Sequence, residues 1–300
     1  MYRKDIHMKV TNRLNLPQPI VEVLASDNYS KGGADFSATE LIDSPRVKQL
    51  TKRHYEDITV DCADLLYQFD GKAVHSLLEQ AEVSKDVGLI EERLEVQVGT
   101  YTISGAIDYY DVQRGVIQDY KRVSTWEVVM GIKEEREQQL NIYAHLAREN
   151  GWTVNGLEIV YLFRDWSEAR ATREQDYPQD RAQRVDIPLW SPSKAREYLE
   201  WRVNLHALAS EKPDTDLPEC LPHERWEEPT TYAVMKQGRK SAVRATDADG
   251  NKFLSEQAAS NWLAAKVSNK SGHYIETRQG EPRRCLKYCN VAPFCNQWSG

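Results

Sequence analysis

The sequence predicts an α/β fold whose mixed central sheet is flanked by helices, followed by a small C-terminal α+β module. Three observations lead to it. Helical and strand-like periodicities alternate between residues 36 and 209 in the order helix, antiparallel strands, helix, strand, which is the pattern of a layered α/β domain. Within residues 105–121, GAIDYYDVQRGVIQDYK, two short runs rich in Ile, Val and Tyr flank a turn at Gln113-Arg114-Gly115, as in a β-hairpin. After KPDTDLP the composition shifts, and three cysteines crowd the end of the chain.

Three hundred residues, 40% of them hydrophobic, suffice for a large domain with an appendage and a true core. No window approaches eighteen uncharged apolar residues, and the start, MYRKDIHMKVTNRLNLPQPI, lacks the apolar core of a signal peptide. The expectation is a cytoplasmic protein, neither secreted nor membrane-spanning. Five cysteines in a reducing compartment point to metal ligation rather than disulfides. A formal net charge of −7 argues against a coat of basic surface that binds nucleic acid indiscriminately. It leaves room for a local basic groove, and carboxylates gathered around metal ions themselves lower the charge.

Residues 1–35, with LPQP and SKGG, show little periodicity and read as an irregular arm. Ser37 or Thr39 can cap a short helix running to about Ile42, and Pro45 can open a second toward His54. Arg46, Lys48, Lys52, Arg53 and His54 make this stretch basic, either as a solvated helix face or as a DNA contact. Residues 63–81, ADLLYQFDGKAVHSLLEQA, have apolar residues at near-helical spacing, forming one helix or two joined near Gly71. His75 and Glu79 share one of its faces. Strands are expected at 94–98, 101–108 and 115–121, a long helix at 126–150 and a strand at 157–163. A charged loop at 167–184 and an amphipathic helix at 193–209 precede the linker. Beyond it, strands at 232–235, 242–245 and 273–277 and a helix at 255–266 complete the pattern. The domains are thus an arm, 1–35, a main domain, 36–211, and a cysteine-bearing module, 212–300.

Asp108 lies on the first strand of the 105–121 hairpin. Asp119 and Lys121 lie on the second, two residues apart, and so project to the same side. Paired carboxylates with an ammonium beside them can hold a divalent cation and an anionic, phosphate-like reacting group. Asp108 and Asp119, the backbone carbonyl of Tyr120 and the imidazole of His75 form the candidate ligand set, with Lys121 orienting or deprotonating the attacking water or neutralising developing charge. Taken alone, D-x-K on a strand is a frequent chance pattern. The order His75, GAID, DYK, QLNIY is more specific.

In that order the chain resembles the PD-(D/E)xK nuclease superfamily, in its RecB-like branch, over roughly residues 37–163. GKAVHSLLE is similar to the helix with the branch's metal-binding histidine, here His75. GAIDYYD is similar to the strand with the first acidic ligand, Asp108, and IQDYK to the (D/E)xK strand, Asp119 and Lys121. QQLNIYAHLA is similar to the downstream Q-x-x-x-Y helix, Gln139 and Tyr143. No proline precedes Asp108, and the second acid is Asp rather than Glu. The resemblance implies a restriction-endonuclease-like core, Mg²⁺ or Mn²⁺ at the site, and positioning of the cleft or DNA backbone by Gln139 and Tyr143, with core packing of Tyr143 as the alternative. Glu79 is similar to an acidic residue often seen after that histidine and is an auxiliary candidate.

Cys285-x3-Cys289-x5-Cys295 is compact enough for an iron–sulfur cluster or zinc. Some RecB-like nucleases close a [4Fe–4S] cluster with three C-terminal cysteines and one N-terminal to the nuclease core. Here that N-terminal position is occupied by Ser44-Pro45-Arg46, so Cys220 is the preferred fourth ligand and Cys62 the reserve; zinc and unliganded thiols stay open. The expected activity is metal-dependent hydrolysis of DNA, most simply by an exonuclease of recombination, repair or replication in a bacterium or phage-infected cell. Arg122, Trp126 and Lys133 are candidates for guiding the strand. A structure- or site-specific endonuclease and a non-catalytic DNA-binding scaffold are the rivals. A helicase, recombinase or single-strand-binding protein is a candidate partner, and the oligomeric state stays open.

Overall fold

A computed structural model describes residues 8–26 and 31–298. The first of two compact units, Met1–Pro218, runs β1 (Lys9–Thr11), α1 (Gln18–Ala25), β2 (Phe36–Ser37), α2 (Ala38–Leu41), α3 (Pro45–Arg53), β3 (Thr59–Asp61), α4 (Cys62–Leu78), β4 (Gly88–Val98), β5 (Tyr101–Asp111), β6 (Val116–Val123), α5 (Trp126–Val129), α6 (Glu134–Glu149), β7 (Gly156–Phe163), α7 (Glu168–Ala171), β8 (Ala182–Ile187) and α8 (Pro192–Ser210). Six strands form a mixed sheet in the order β2-β5-β6-β7-β8, with β4 on β5. β2 and β5, and β6 and β7, are parallel; the other pairs are antiparallel. Helices flank the sheet, as the alternation of periodicities predicts.

β5 organises this sheet. One of its edges is covered along its length by β4, from Val98↔Tyr101 to Gly88↔Asp111. The other is shared: β2 pairs with Ile103 and Ser104, and β6 with residues 109–111. Residues 105–108 lie in the gap between these partners. At Gly105 a Cβ would fall 2.7 Å from Leu146 Cδ1 and 2.8 Å from Tyr143 Cε1, so α6 packs directly on the β5 backbone. Gly105→Ala is therefore expected to destabilise the domain by about 1–3 kcal/mol through overpacking. Urea unfolding should show this as a lower midpoint at an unchanged m value.

Residues 138–147 of α6 are buried in unbroken succession. The helix packs on β4 to β7 on one side and on α2 and α8 on the other, so it has no solvent face over that stretch and only weak amphipathic periodicity. The single helix expected at 126–150 is broken. Gly131 takes φ +91°, a conformation an α-helix cannot contain, and separates α5 from α6.

Other departures have local causes. Within the segment expected to be irregular, β1 pairs in parallel with β3 and α1 packs on α4. Asp61 accepts hydrogen bonds from Thr11 Oγ1 (2.7 Å), Arg13 N (2.9 Å) and Ala63 N (3.0 Å), so one carboxylate both caps α4 and pins the arm. The charged 167–184 stretch contains α7 and the start of β8. KPDTDLP is not a free linker: Asp214 pairs with Arg53 and His54, each at 2.7 Å. Buried Arg46 donates to the carbonyls of Leu217 and Pro218. Much of the basic stretch 46–54 thus holds this segment in place, and the unit ends at Pro218.

The second unit, Glu219–Gly300, contains β9 (Thr231–Lys236), α9 (Glu256–Lys266), β10 (His273–Arg278) and α10 (Arg283–Lys287). β9 and β10 are antiparallel and share a small core built on Val234, Phe253 and Ala259. Ser255 caps α9 by accepting from Ala258 N. The strand expected at 242–245 is reduced to a bridge between Val234 and Arg244. Among the described residues no helix is long and apolar enough to cross a membrane.

Candidate metal centre

The gap beside β5 is where the charged residues meet. α4, held at its start by Asp61, carries His75 in its last turn. The β4–β5 hairpin turns at Gly99, φ +61°, with Val98 paired to Tyr101; that register sets Glu91 opposite Asp108. Here the ladder skips a step, between Ile90↔Tyr109 and Glu92↔Ile107. Glu91 itself takes φ +50°, a left-handed conformation that costs a non-glycine residue roughly 1–3 kcal/mol. On the other side, continuing the register from Tyr109↔Gln118 sets Asp119 opposite Asp108. The β5–β6 ladder ends at that point, and Asp108 Oδ2 accepts the N–H of Tyr120 at 2.7 Å.

Glu91, Asp108 and Asp119 therefore stand at one level on three adjacent strands, at spacings of about 4.8 Å. Like charges directly opposite each other destabilise a sheet, so the row needs positive charge. His75 Nδ1 supplies some, 3.2 Å from Glu91 Oε1 and 3.9 Å from Asp108 Oδ1. Lys121 Nζ, against Asp119 Oδ2, supplies more. Asp119 is only 2% exposed. Despite the contact with Lys121, neither of its carboxylate oxygens accepts a well-formed hydrogen bond.

Burial, and then the neighbouring Asp119, push the Asp108 carboxyl up to about 7, against the pull of Lys121, His75 and the Tyr120 N–H. The hydrogen bond to Glu91 raises His75 above its ordinary value, with Asp108 adding to it. Desolvation pushes Tyr161 up to about 12, and its hydroxyl is buried without a partner.

His75, Glu91 and Asp108 each offer one ligand atom, all within 4.8 Å of one another. Hard carboxylate oxygens with one imidazole suit Mg²⁺ or Mn²⁺, and orphaned acceptors on a buried carboxylate are the state a cation would relieve. The donor set fits such an ion. Asp119 stands beside this trio rather than within it.

The remaining candidates separate clearly. Glu79 is the exposed C-cap residue of α4. Gln139 Nε2 donates to the Tyr143 hydroxyl at 2.8 Å; both are buried, and the Tyr143 ring rests on Gly105, which favours packing for that tyrosine. Arg122 donates to the Phe163 carbonyl and Lys133 pairs with Glu127, whereas Trp126 is 62% exposed. In the second unit burial raises the Cys285 and Cys289 thiols, and the nearby Cys295 adds to both. They do not form a group as tight as His75, Glu91 and Asp108. The Cys220 backbone is bracketed by the Gln297 amide, which accepts from its N–H at 2.7 Å and donates to its carbonyl at 3.0 Å. Cys62 is fully buried in the first unit.

Glu91 is the residue that sequence reasoning missed. The signal was the two-residue turn Gly99-Thr100: counting back from it pairs residue 91 with Asp108. Glu91→Gln keeps the shape but weakens the ligand, and Mn²⁺ affinity is expected to fall about 10–100-fold. Calorimetric titration with Mn²⁺ checks this; an unchanged affinity would remove Glu91 from the site.

No family model matches the chain, and no curated protein matches it. Among the solved structures that match is one described as "Crystal structure of SSO0001", with 17% identity over 62% of this chain and 82% of that chain and a TM-score of 0.41, too low to establish a shared fold.

Proposed function

We propose that this protein is a divalent-metal-dependent deoxyribonuclease of the RecB-like PD-(D/E)xK type, acting as an exonuclease. The observation that carries this reading is the row Glu91, Asp108 and Asp119 across three strands, with His75 above it and Lys121 at its end. Such a row is costly in a sheet unless something cationic occupies it. His75, Glu91, Asp108 and Asp119, with the Tyr120 carbonyl, would hold Mg²⁺ or Mn²⁺. A bound divalent ion supplies charge relief on a phosphoryl oxygen and a more acidic water. Lys121 holds its ammonium beside the reacting phosphate, where it orients the water and balances developing negative charge. The Tyr120 N–H fixes Asp108 in place.

In the second unit, Cys220, Cys285, Cys289 and Cys295 are the proposed ligands of a [4Fe–4S] cluster, with zinc as the alternative. Two partly buried thiols, Cys285 and Cys289, that both lie near Cys295 support a bound metal.

The test uses end-labelled linear DNA and covalently closed circles with Mn²⁺. Wild-type protein is expected to degrade the linear substrate, and both Asp119→Ala and Lys121→Ala to lose cutting while still binding DNA. Cutting of closed circles would replace the exonuclease assignment with an endonuclease. A wild type that cuts nothing, or variants that cut as well as it does, would overturn the reading.

A further inference from the structure

A cleft of about 440 Å³ opens between α5 and the segment leading into β8, lined by Val128 and Val129 on one side and by residues 175–180, Ala182 and Gln183 on the other. Its place in the sheet is set by register. Lys121 pairs with Tyr161, and Tyr161 with Gln183. Residues paired across adjacent strands present their side chains to the same face, so Gln183 lies on the Lys121 face. Two strand spacings, about 10 Å, separate their backbones. Tyr161 between them is fully buried, with its hydroxyl unpartnered. Outside the cleft, α5 and the turn after it expose Trp126 (62%) and Met130 (77%), apolar surface that follows directly from the strand bearing Asp119 and Lys121.

The lining decides what can enter. Asp176 and Asp180 repel a phosphate. Their carboxylates and the amides of Gln175 and Gln183 suit the edge of a heterocycle, and Val128, Val129 and Pro178 suit its faces. We propose that this cleft receives an unpaired nucleobase of the strand whose phosphodiester lies at the metal centre. It thereby makes the enzyme selective for single-stranded DNA, with bases that carry an exocyclic amine preferred over thymine. The carboxylates accept from that amine, and Trp126 stacks on a neighbouring base. The proposal rests on the nuclease reading above and specifies its substrate.

The test uses the full-length protein with Mn²⁺ and a labelled 30-nucleotide single strand, alongside copies that each carry one abasic position and the matching duplex. In wild-type protein an abasic position should reduce cutting about tenfold at bonds within two nucleotides of it, the effect expected from losing one bound base. Val129→Trp, which fills the cleft from α5, and Gln183→Ala, which removes one amide, should reduce cutting of the intact strand. Val129→Trp should add no further loss on abasic strands. Both variants should keep the wild-type circular dichroism and Mn²⁺ affinity. If wild-type protein cuts no DNA, the nuclease reading falls and the cleft assignment with it. If it cuts but abasic positions cost nothing, or both variants cut the intact strand like wild type, the cleft assignment alone falls. A preference for the duplex over the single strand likewise overturns it.

Discussion

Asp119→Asn is expected to lower Mn²⁺-dependent DNA cleavage by about 10³-fold while raising the stability of the metal-free protein. The first effect follows from losing a buried ligand carboxylate next to Lys121, since a cation's relief of charge on a phosphoryl oxygen is worth several kcal/mol. The second follows from the same geometry. Asp119 is buried, its oxygens lack well-formed hydrogen bonds, and its charge is one reason the Asp108 carboxyl is held so far up. Asparagine removes that repulsion while its amide oxygen still faces Lys121. Lys121 also lies near enough to Asp108 for its charge to act on that carboxyl, so the ammonium keeps a carboxyl in its surroundings. The gain should be about 1–2 kcal/mol, each kcal/mol worth about 2–4 °C in Tm for a domain of this size. Scanning calorimetry without metal, paired with the cleavage assay, decides it. A variant that is less stable without metal and still cuts would show that Asp119 is a structural ion-pair partner.

Metal-free stability should fall as pH rises from about 4 to about 7, and Mn²⁺ should reverse the trend. An unfolded aspartate loses its proton near 3.9, whereas the folded Asp108 carboxyl keeps it to about 7. Between those values the native state holds the extra proton. The stabilisation is therefore complete below the unfolded value and lost as pH climbs through the folded one, a change on the order of a few kcal/mol. His75, also raised, acts with the same sign: its contribution is present below about 6.5 and is lost above its folded value. A cation competes with the proton on Asp108, so Mn²⁺ affinity should rise over the same window and level off above it. Urea unfolding at pH 5, 6, 7 and 8 with and without Mn²⁺ measures both slopes. Asp108→Asn should flatten most of each, and a slope that survives this substitution would place the proton elsewhere.

Local chemistry carried much of the architecture into the sequence. Ser37 and Pro45 announce α2 and α3, the Gln113-Arg114-Gly115 turn announces the β5–β6 connection, and the two-residue spacing of Asp119 and Lys121 puts them on one face. These features depend on neighbours along the chain, where turn geometry and strand alternation are decided. α6 was legible as a helix but not as the fully enclosed centre of the unit, because burial on all sides erases the amphipathic signal. The break at Gly131 was missed for the opposite reason: its flanks are apolar enough to imitate one continuous helix.

By itself, then, the sequence determined an α/β domain, a basic stretch near its start, a helix with His75 and a strand pair with Asp108, Asp119 and Lys121. The tertiary structure decided that Glu91 joins them and that the Tyr143 ring rests on Gly105. It also decided that Arg46, Arg53 and His54 serve the segment at 212–218. The physical reason is the same in each case. Which side chains meet across strands, or across 160 or more residues of chain, is fixed by ladder register and by the burial of charged groups that must find partners. Neither is written in the spacing of residues along one segment.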